Sequence, residues 1–385
     1  MTKPTELPSS NRRDFIKTTS SITAASALAG VAIPRVHSAV DDTTQIAVVG
    51  AGGRGTGAAD NALSVPSDIA RNKLVAMADV STAKMDNSYK ALKRRHKDSV
   101  DVPADRRYIG FDGYAKAMDN LNKGDVVIFT TPCAFRWVHF RKAIDKGLNI
   151  FMEKPLCPDG PSARRMLDLN NEAIKKNLKV GVGLMCRHSR ARGELFNRIK
   201  DGELGDINLL RAYRLHGPVA SCRSLPPKNN ENELLYQIRR FHSFIWASGG
   251  SFSDFLIHNI DECCWMKGAA MGDPHNAGGD PFDVIGTRDK WAWPIMAQAT
   301  GGKHYTKNRQ GQPYVDQNLD TYSVEYTYAD GTKLMHNGRT IDGCHNEFAS
   351  YVHGTKGFGT FSINGHWPAP SALYTGLTPN PKNQI

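Results

Sequence analysis

Residues 45–55 read Gln-Ile-Ala-Val-Val-Gly-Ala-Gly-Gly-Arg-Gly, an apolar run that leads directly into a cluster of glycines. The Ile-Ala-Val-Val segment is short and rich in β-branched residues, which is typical of a fully buried strand. Alanine-rich sequence continues to about Leu63 without a proline and predicts a helix. A strand, a glycine turn and a helix in this order predict the opening of a βαβ unit.

The spacing of the glycines predicts that this turn binds a dinucleotide. Gly50 allows the tight turn, Gly52 lets the backbone approach a pyrophosphate, and Gly55 permits close packing of the helix on the strand. Gly53 and Arg54 complete the turn, and the phosphates would lie at the helix N-terminus, where free N–H groups attract negative charge. An ordinary glycine-rich βα turn without a ligand is the alternative interpretation.

The next predicted strand, Lys73–Asp79, ends at a carboxylate. This carboxylate, Asp79, follows the glycines by about 20 residues. Dinucleotide-binding folds place at that distance the residue that binds the ribose. Asp79 would accept hydrogen bonds from the ribose hydroxyls and would repel a 2′-phosphate. The sequence therefore favours NAD as the cofactor, with NADP as the alternative.

Strands and helices alternate as far as residue 184, a pattern that predicts a parallel sheet built from βαβ units. Beyond residue 186, longer strands joined by glycine turns predict an antiparallel sheet. The expected fold is an α/β Rossmann domain with a doubly wound parallel sheet, followed by an α+β domain with a largely antiparallel open sheet. We assign 40–160 to the first domain and 161–385 to the second. The segments expected to lack regular structure are 217–240 and 272–320.

The composition is that of a folded protein rather than a disordered or nucleic-acid-binding one. Its 385 residues are 40% hydrophobic, which suffices for the cores of two domains. The net charge is +11, but the densest basic run, Lys93–Lys97, lies on a predicted helix, where a solvated face is expected. The cysteines include no Cys-x-x-Cys pair and indicate neither a disulfide framework nor a metal site. No nucleic-acid partner is expected.

The amino terminus has the pattern of an export signal. Residues 11–17 read Asn-Arg-Arg-Asp-Phe-Ile-Lys, and a weakly apolar stretch, Thr18–Ile33, leads to small residues at Ser38 and Ala39. Paired arginines before such a stretch predict a twin-arginine signal over 1–39, and hence an exported, periplasmic or extracytoplasmic protein. A chance Arg-Arg ahead of an amphipathic helix is the alternative. No apolar run of about 18 residues follows, so no stable membrane insertion is expected after signal removal.

Glu153-Lys154-Pro155 follows a predicted strand, Asn149–Met152, and is the second candidate for chemistry. Ligands of open α/β sheets bind beyond the carboxyl ends of the strands, which puts Lys154 at the mouth of the cofactor cleft. A lysine there can hydrogen-bond a substrate hydroxyl or, if it is desolvated, relay its proton. A solvated lysine before a proline turn is the alternative.

A predicted helix over Gly250–Lys267 carries the third candidate. Asp254, His258 and Asp261 are spaced at i, i+4 and i+7, so they share one face of a regular α-helix among apolar neighbours. A carboxylate that orients a histidine suits proton abstraction from an alcohol. A histidine satisfied within the core is the alternative, and a zinc site is disfavoured because no His-Glu-x-x-His motif or Cys-x-x-Cys pair accompanies it.

Together these elements resemble the Gfo/Idh/MocA oxidoreductase family, and especially its twin-arginine-exported members. The resemblance covers about residues 44–363. The further positions that carry it are Thr131-Pro132, His139, the Gly147–Pro155 segment, Arg339 and the Gly354-Thr355-Lys356-Gly357 turn.

The resemblance implies a Rossmann domain that binds NAD(P), followed by an α+β domain whose open sheet often forms an oligomer interface, so a homodimer or homotetramer is expected. Carried over by position, Lys154 corresponds to the catalytic lysine, and Asp254 and His258 correspond to the acid/base pair. The cofactor residues implied beyond the glycine turn and Asp79 are Thr131, Pro132, His139, Glu153 and Lys154.

Two further expectations come from the same resemblance. The Lys154–Pro155 bond is often cis in the family. Exported relatives usually continue beyond Gly357 with helices that return to the Rossmann domain, so a chain that stops at Ile385 is expected to be shortened at its carboxyl end.

The expected function is oxidoreduction of a sugar or sugar derivative. A hydride would pass between C4 of nicotinamide and a secondary alcohol, with His258 or Lys154 handling the hydroxyl proton. An exported enzyme has no supply of free NAD, so a tightly held cofactor is expected. One alternative is a redox-neutral, NAD-dependent glycoside hydrolase that oxidises its substrate, eliminates the glycosidic bond, adds water and reduces the product again. Another is a non-catalytic protein that binds a dinucleotide or a sugar.

Overall fold

The computed structural model describes residues 43–228, 230–270, 293–363, 371–376 and 379–385. Within them the chain forms a six-stranded sheet followed by a seven-stranded sheet, each with helices packed against it. The predicted signal over 1–39 lies outside the described residues. None of the described helices is both long enough and apolar enough to span a membrane.

The first sheet has the strand order β3-β2-β1-β4-β5-β6. Its strands are β1 (Thr43–Val49), β2 (Arg71–Asp79), β3 (Arg107–Ile109), β4 (Val126–Phe129), β5 (Asn149–Met152) and β6 (Val180–Val182). The order reverses at the pairing of β1 with β4, which run parallel with Val49 opposite Phe129. In doubly wound sheets the crevice at this reversal, beyond the carboxyl ends of the strands, is where ligands bind.

Helices cover both faces of this sheet. They are α1 (Gly53–Leu63), α2 (Thr82–His96), α3 (Gly113–Asp119), α4 (Arg136–Lys146) and α5 (Gly160–Lys175). Ile46 and Val48 pack into the core formed with α1 and α2, whereas Ala47 and Val49 pack into the core formed with α3, α4 and α5. Because both faces of β1 are buried, its sequence lacks the alternation of a half-exposed strand.

The second sheet has the order β13-β12-β11-β7-β10-β9-β8. Its strands are β7 (Ile207–His216), β8 (Met296–Gly302), β9 (Thr321–Thr327), β10 (Lys333–Thr340), β11 (Glu347–Gly354), β12 (Gly357–Ser362) and β13 (Ala372–Thr375). β7 and β10 pair in parallel at the centre, and the other pairs are antiparallel. The predicted fold class, a Rossmann-type sheet followed by a largely antiparallel sheet, is confirmed.

Two helices, α6 (Arg190–Lys200) and α9 (Ile257–Ala270), pack against one face of the second sheet. Between them in the chain lie two shorter helices, α7 (Glu233–Arg239) and α8 (Ile245–Ser248), and a π-helical turn at Phe252–Leu256. Leu210 and Leu334 of the sheet pack with Phe196 of α6 and Met266 of α9 in one core. Arg211 lies on the opposite face and is exposed, as expected for an open sheet.

The predicted helix over Gly250–Lys267 is present, but it is not a regular α-helix throughout. Residues Phe252–Leu256 form a π-helical turn within it, and the α-helix continues from Ile257. A π turn holds more residues than an α turn, so the i, i+4, i+7 spacing no longer defines a single face. The prediction that Asp254, His258 and Asp261 form one polar stripe therefore loses its geometric basis.

Two predicted irregular segments contain regular elements. The segment 217–240 includes α7, and 272–320 includes β8. β8 is an edge strand whose residues Met296–Gly301 are exposed on both faces, so it lacks the period-two pattern by which a half-buried strand is recognised. Part of the second segment, 272–292, lies outside the described residues.

His336 on β10 gives this fold a sensitivity to acid. It is 0% exposed, and neither ring nitrogen has a hydrogen-bond partner among the described residues. Burial lowers its pKa to about 3 from the ordinary value of 6.5. Below pH 6.5 the unfolded chain binds a proton that the folded chain does not, so the free energy of unfolding falls as the pH falls, by about 1.4 kcal/mol per pH unit.

Replacing His336 by leucine is therefore expected to remove about 2 kcal/mol of the stability loss between pH 7 and pH 5. Urea unfolding at pH 7, 6 and 5 measures it. His345→Leu is the control, because the side chain of His345 is 78% exposed and its removal should leave the pH dependence unchanged. Equal pH slopes for wild type and His336→Leu would contradict the assignment.

Candidate active site

A cavity of about 730 Å³ opens beyond the carboxyl ends of β1, β2 and β4. The second part of the chain contributes Ile238, Phe241 and His242 to its wall. The residues predicted to bind a cofactor that line it are Gly50, Gly52, Gly53, Arg54, Gly55, Asp79, Thr131, Pro132 and His139. The remaining two, Glu153 and Lys154, lie outside this lining.

The glycine turn is shaped by close backbone approaches. Gly50 has φ of +100°, and a Cβ there would lie 2.8 Å from the backbone nitrogen of Thr131. A Cβ on Gly55 would lie 1.9 Å from the carbonyl oxygen of Gly50. Neither Gly52 nor Gly53 has an atom within 4 Å of its would-be Cβ, and no side chain caps the N-terminus of α1. The first N–H groups of α1 therefore face open space, which suits the pyrophosphate of a dinucleotide.

Asp79 joins this turn to the second strand. Its Oδ2 accepts a hydrogen bond from the backbone N–H of Ala51 at 2.7 Å, and its Oδ1 accepts one from Ser81 at 2.8 Å. Each carboxylate oxygen can accept a second hydrogen bond, so the group can hold the turn and still bind ribose hydroxyls in the cavity. The cavity is also lined by Arg54, Lys84 and Arg95.

Replacing Asp79 by asparagine is expected to reduce the preference for NADH over NADPH by about 10-fold or more. The amide oxygen can still accept one backbone hydrogen bond, but the charge that repels a 2′-phosphate is lost while the nearby basic side chains remain. Fluorescence titration with each dinucleotide measures the effect. Asp98→Asn, at an exposed position outside the cavity, is the control, and an unchanged preference in Asp79→Asn would argue against a ribose-binding role.

Arg136, at the start of α4, holds the strand ends together, although sequence reasoning did not single it out. It is 1% exposed, and its guanidinium donates to the carbonyl oxygens of Phe129, Thr131 and Glu153. Burial lowers its pKa to about 10. The group joins the end of β4 to the end of β5 and so positions the segment that carries Lys154. An arginine whose partners are main-chain carbonyls has no sequence signature.

His139 forms part of the cavity wall as a neutral side chain. Its Nδ1 lies 3.2 Å from Oγ1 of Thr131, and its ring lies 4.4 Å from that of Tyr114. Burial lowers its pKa to about 3, and the charge of Arg136 acts in the same direction. The imidazole is therefore uncharged at neutral pH and suited to packing against a cofactor ring.

Lys154, which follows β5, reaches across to the π-helical turn. Its Nζ donates to the backbone carbonyl of Asp254 at 2.7 Å and lies 3.3 Å from the Oδ1 of the same residue. The two side chains are 12% and 7% exposed. The Lys154–Pro155 bond is cis, as the family resemblance implied. The structure thus brings together two of the three residues predicted to be catalytic.

His242 links this ion pair to the cavity. Its Nε2 lies 3.5 Å from Oδ2 of Asp254, and its Nδ1 lies 2.8 Å from the hydroxyl of Ser221. Burial lowers the pKa of His242, and Asp254 partly opposes that shift. His242 could not be identified from the sequence, because the region 217–245 carries no recognisable pattern.

The other predicted residues have separate environments. His258, one turn beyond Asp254, is 4% exposed. Asp261 accepts hydrogen bonds from Arg187 at 2.8 and 3.0 Å. Glu153 lies beside the residue that follows β6, because a Cβ on Gly183 would be 2.6 Å from its Oε2.

The first part of the chain is similar in sequence to known oxidoreductases. Residues 44–184 match the sequence profile of GFO_IDH_MocA, an oxidoreductase family with an NAD-binding Rossmann fold. Inositol 2-dehydrogenase of Arthrobacter sp. (strain FB24) is 27% identical over 205 residues, which make up 53% of this chain and 52% of that protein. The chain thus spans about half the length of the curated relatives it matches.

Solved structures resemble the chain over more of its length. Aldose-aldose oxidoreductase from Caulobacter crescentus, complexed with glycerol, aligns with a TM-score of 0.58 at 15% identity, covering 89% of this chain and 85% of that one. Levoglucosan dehydrogenase in complex with NADH aligns with a TM-score of 0.62 at 15% identity, covering 89% and 78%. At such identity the likeness shows the fold alone. The predicted NAD-binding Rossmann domain is confirmed by the family match.

Proposed function

We propose that the whole chain is an NAD-dependent oxidoreductase, because residues 44–184 match an oxidoreductase family with an NAD-binding Rossmann fold. Its reaction moves a hydride to or from a secondary alcohol of a sugar or polyol. The similarity to inositol 2-dehydrogenases supports a polyhydroxylated substrate.

The observation that carries this proposal is the pairing of Lys154 with Asp254 beside the cavity, at 3.3 Å between Nζ and Oδ1. When an alcohol is oxidised, its O–H proton must leave as the hydride departs from the carbinol carbon, so a proton-handling group is needed at that oxygen. Bound NAD would supply the hydride acceptor. His242 lines the cavity and its Nε2 lies 3.5 Å from Oδ2 of Asp254, so this side chain connects the Lys154–Asp254 pair to the space available to the cofactor.

In this proposal Lys154 and His258 act on the substrate oxygen in different ways. Lys154, oriented by Asp254, donates a hydrogen bond to the carbinol oxygen as negative charge develops there. His258, placed one turn beyond Asp254, accepts the hydroxyl proton. In the reverse direction the same groups return the proton to the carbonyl oxygen.

We also propose that NAD stays bound to the protein through purification, in keeping with the export predicted from residues 1–39. The test is to express the full chain, purify it, denature it and assay the supernatant for NAD and NADP. The native protein is then incubated with inositols and aldoses while absorbance at 340 nm is followed. About one dinucleotide per chain and substrate-dependent absorbance changes are expected.

Three other outcomes would each replace part of the proposal. Release of no dinucleotide, together with no binding of added NADH or NADPH, would overturn the oxidoreductase. Binding of added NADH without co-purified NAD would overturn only the tightly held cofactor. Cleavage of an aryl glycoside without net NADH formation would identify a redox-neutral hydrolase instead.

A further inference from the structure

Arg214 lies near the carboxyl end of β7, on the face that packs against the helices. Leu210 and Ala212, four and two positions earlier on this face, are fully buried in the core. Arg214 and then His216 continue the same face beyond that core. The strand thus carries two basic side chains toward the π-helical turn, where the ring of His216 lies 5.9 Å from that of Phe255.

Phe255 connects these basic residues to the candidate active site. Its ring stacks on that of His242 at 5.7 Å, and Nζ of Lys154 lies 5.9 Å from its centroid. Asp254 is its neighbour in the chain. His216 therefore approaches the same ring, that of Phe255, as Lys154 and His242, the two residues that pair with Asp254. It does so from the side of the second sheet.

The charge of Arg214 is incompletely compensated. Its guanidinium carbon lies 3.9 Å from the ring centroid of Phe348, and its Nε is buried without a hydrogen-bond partner among the described residues. Burial lowers its pKa to about 10, and Asp254 is the carboxylate that opposes the shift. Since Asp254 already pairs with Lys154, the charge of this one carboxylate is shared between two cations, Lys154 and Arg214. A buried cation in this position is stabilised when an anion joins it.

His216 adds a hydrogen-bond acceptor beside this cation. Its Nδ1 lies 2.5 Å from the carbonyl oxygen of Gly217, so Nδ1 carries the proton and Nε2 has a free lone pair. Nε2 is buried, and within the described part of the chain it has no partner. Burial lowers the pKa of His216, and the charge of Arg214 acts in the same direction, so the ring is neutral.

We propose that Arg214 binds a carboxylate of the substrate while His216 accepts a hydrogen bond from a neighbouring hydroxyl. The preferred substrates are then sugar acids, such as uronates, rather than neutral polyols. A carboxylate suits the site better than a phosphate does. Its planar shape matches the edge of a guanidinium whose face is covered by Phe348. This inference rests on the proposed function for turnover, but binding tests it independently.

The test compares acids with their neutral amides. Calorimetric titrations of D-glucuronate, D-glucuronamide and D-glucose 6-phosphate are made on the wild type, with and without NADH, and on three variants: Arg214→Gln, Arg214→Lys and Arg211→Gln. Arg211 is the matched control because it lies on the same strand, is exposed and faces away from the helices. D-galacturonate and its amide provide a second pair of probes.

The wild type and Arg211→Gln are expected to bind a uronate about 10- to 100-fold more tightly than its amide, and Arg214→Gln should abolish that difference. Arg214→Lys keeps the charge but not the planar guanidinium, so it should keep only part of the difference in affinity between a uronate and its amide. Equal binding of acid and amide by the wild type, or an undiminished difference in Arg214→Gln, would overturn the proposal. Tighter binding of glucose 6-phosphate than of either uronate would overturn the choice of a carboxylate.

Two results separate this inference from the proposed function. A uronate preference that depends on Arg214, without any dinucleotide binding or NAD-linked turnover, would leave the anion site standing and remove the oxidoreductase. NAD-linked turnover of neutral polyols at the same kcat/KM as uronates would support the oxidoreductase and overturn the anion site. If circular dichroism shows that Arg214→Gln does not fold, the acid–amide comparison on the wild type and Arg214→Lys decides.

Discussion

Replacing Lys154 by methionine is expected to lower kcat by about 10²- to 10⁴-fold, the usual contribution of a positioned acid or base. Methionine keeps most of the length of the side chain but cannot donate to the substrate oxygen. The affinity for NADH should stay close to that of the wild type, because Lys154 lies outside the lining of the dinucleotide cavity. Single-turnover absorbance measurements at 340 nm give the chemical rate, and fluorescence titration gives the affinity.

Lys142→Met is the matched control for this prediction. Lys142 lies on α4, and its ammonium pairs with Asp119 at 3.2 Å, away from the cavity. The control should keep the kcat of the wild type. An unchanged kcat in Lys154→Met would remove Lys154 from the proposed mechanism, and a loss of NADH binding with intact folding would make it a cofactor-binding residue instead.

Replacing Gly55 by alanine is expected to destabilise the fold by about 3 kcal/mol and to abolish dinucleotide binding. The new Cβ would lie 1.9 Å from the carbonyl oxygen of Gly50, which belongs to the main chain and cannot move aside as a side-chain tip could. Helix α1 would have to separate from β1, and its N-terminal N–H groups would leave the cavity. Urea unfolding and NADH titration measure the two effects.

Gly57→Ala tests whether this effect is local. Gly57 lies two residues further along α1, and nothing lies within 4 Å of its would-be Cβ. Alanine there is expected to stabilise the protein by about 0.5–1 kcal/mol, because glycine is the poorer helix former. Equal stabilities for the two variants would show that α1 does not pack on the glycine turn as described.

The sequence predicted the parts of the fold that depend on local patterns. The turn from Gly50 to Gly55 and the carboxylate of Asp79 are adjacent to strands whose apolar runs are unmistakable, so both lie where expected. The pairing of Lys154 with Asp254 joins residues a hundred positions apart. The sequence could suggest each residue, through the family resemblance, but not their contact.

Other candidate site features have no local pattern in the sequence by which they could be predicted, or only a weak one. His242 lies on a single 3₁₀ turn, Phe241–Ser243, and its position depends on its contacts with Phe255 and Ser221. The π-helical turn at Phe252–Leu256 follows no composition rule, so regular spacing was assumed there. Arg214 does have a signal in the sequence, since the buried face of β7 changes from apolar to basic near its carboxyl end.

The parallel pairing of β7 with β10 also constrains the order in which the protein folds as it is synthesised. β7 lies at the centre of the second sheet, but both of its partners, β10 and β11, come more than about a hundred residues later in the chain. Contacts of such long sequence separation form slowly, because a large loop must close before they add stability. The Rossmann sheet can therefore be complete on the ribosome while both edges of β7 still await strands that have not been translated.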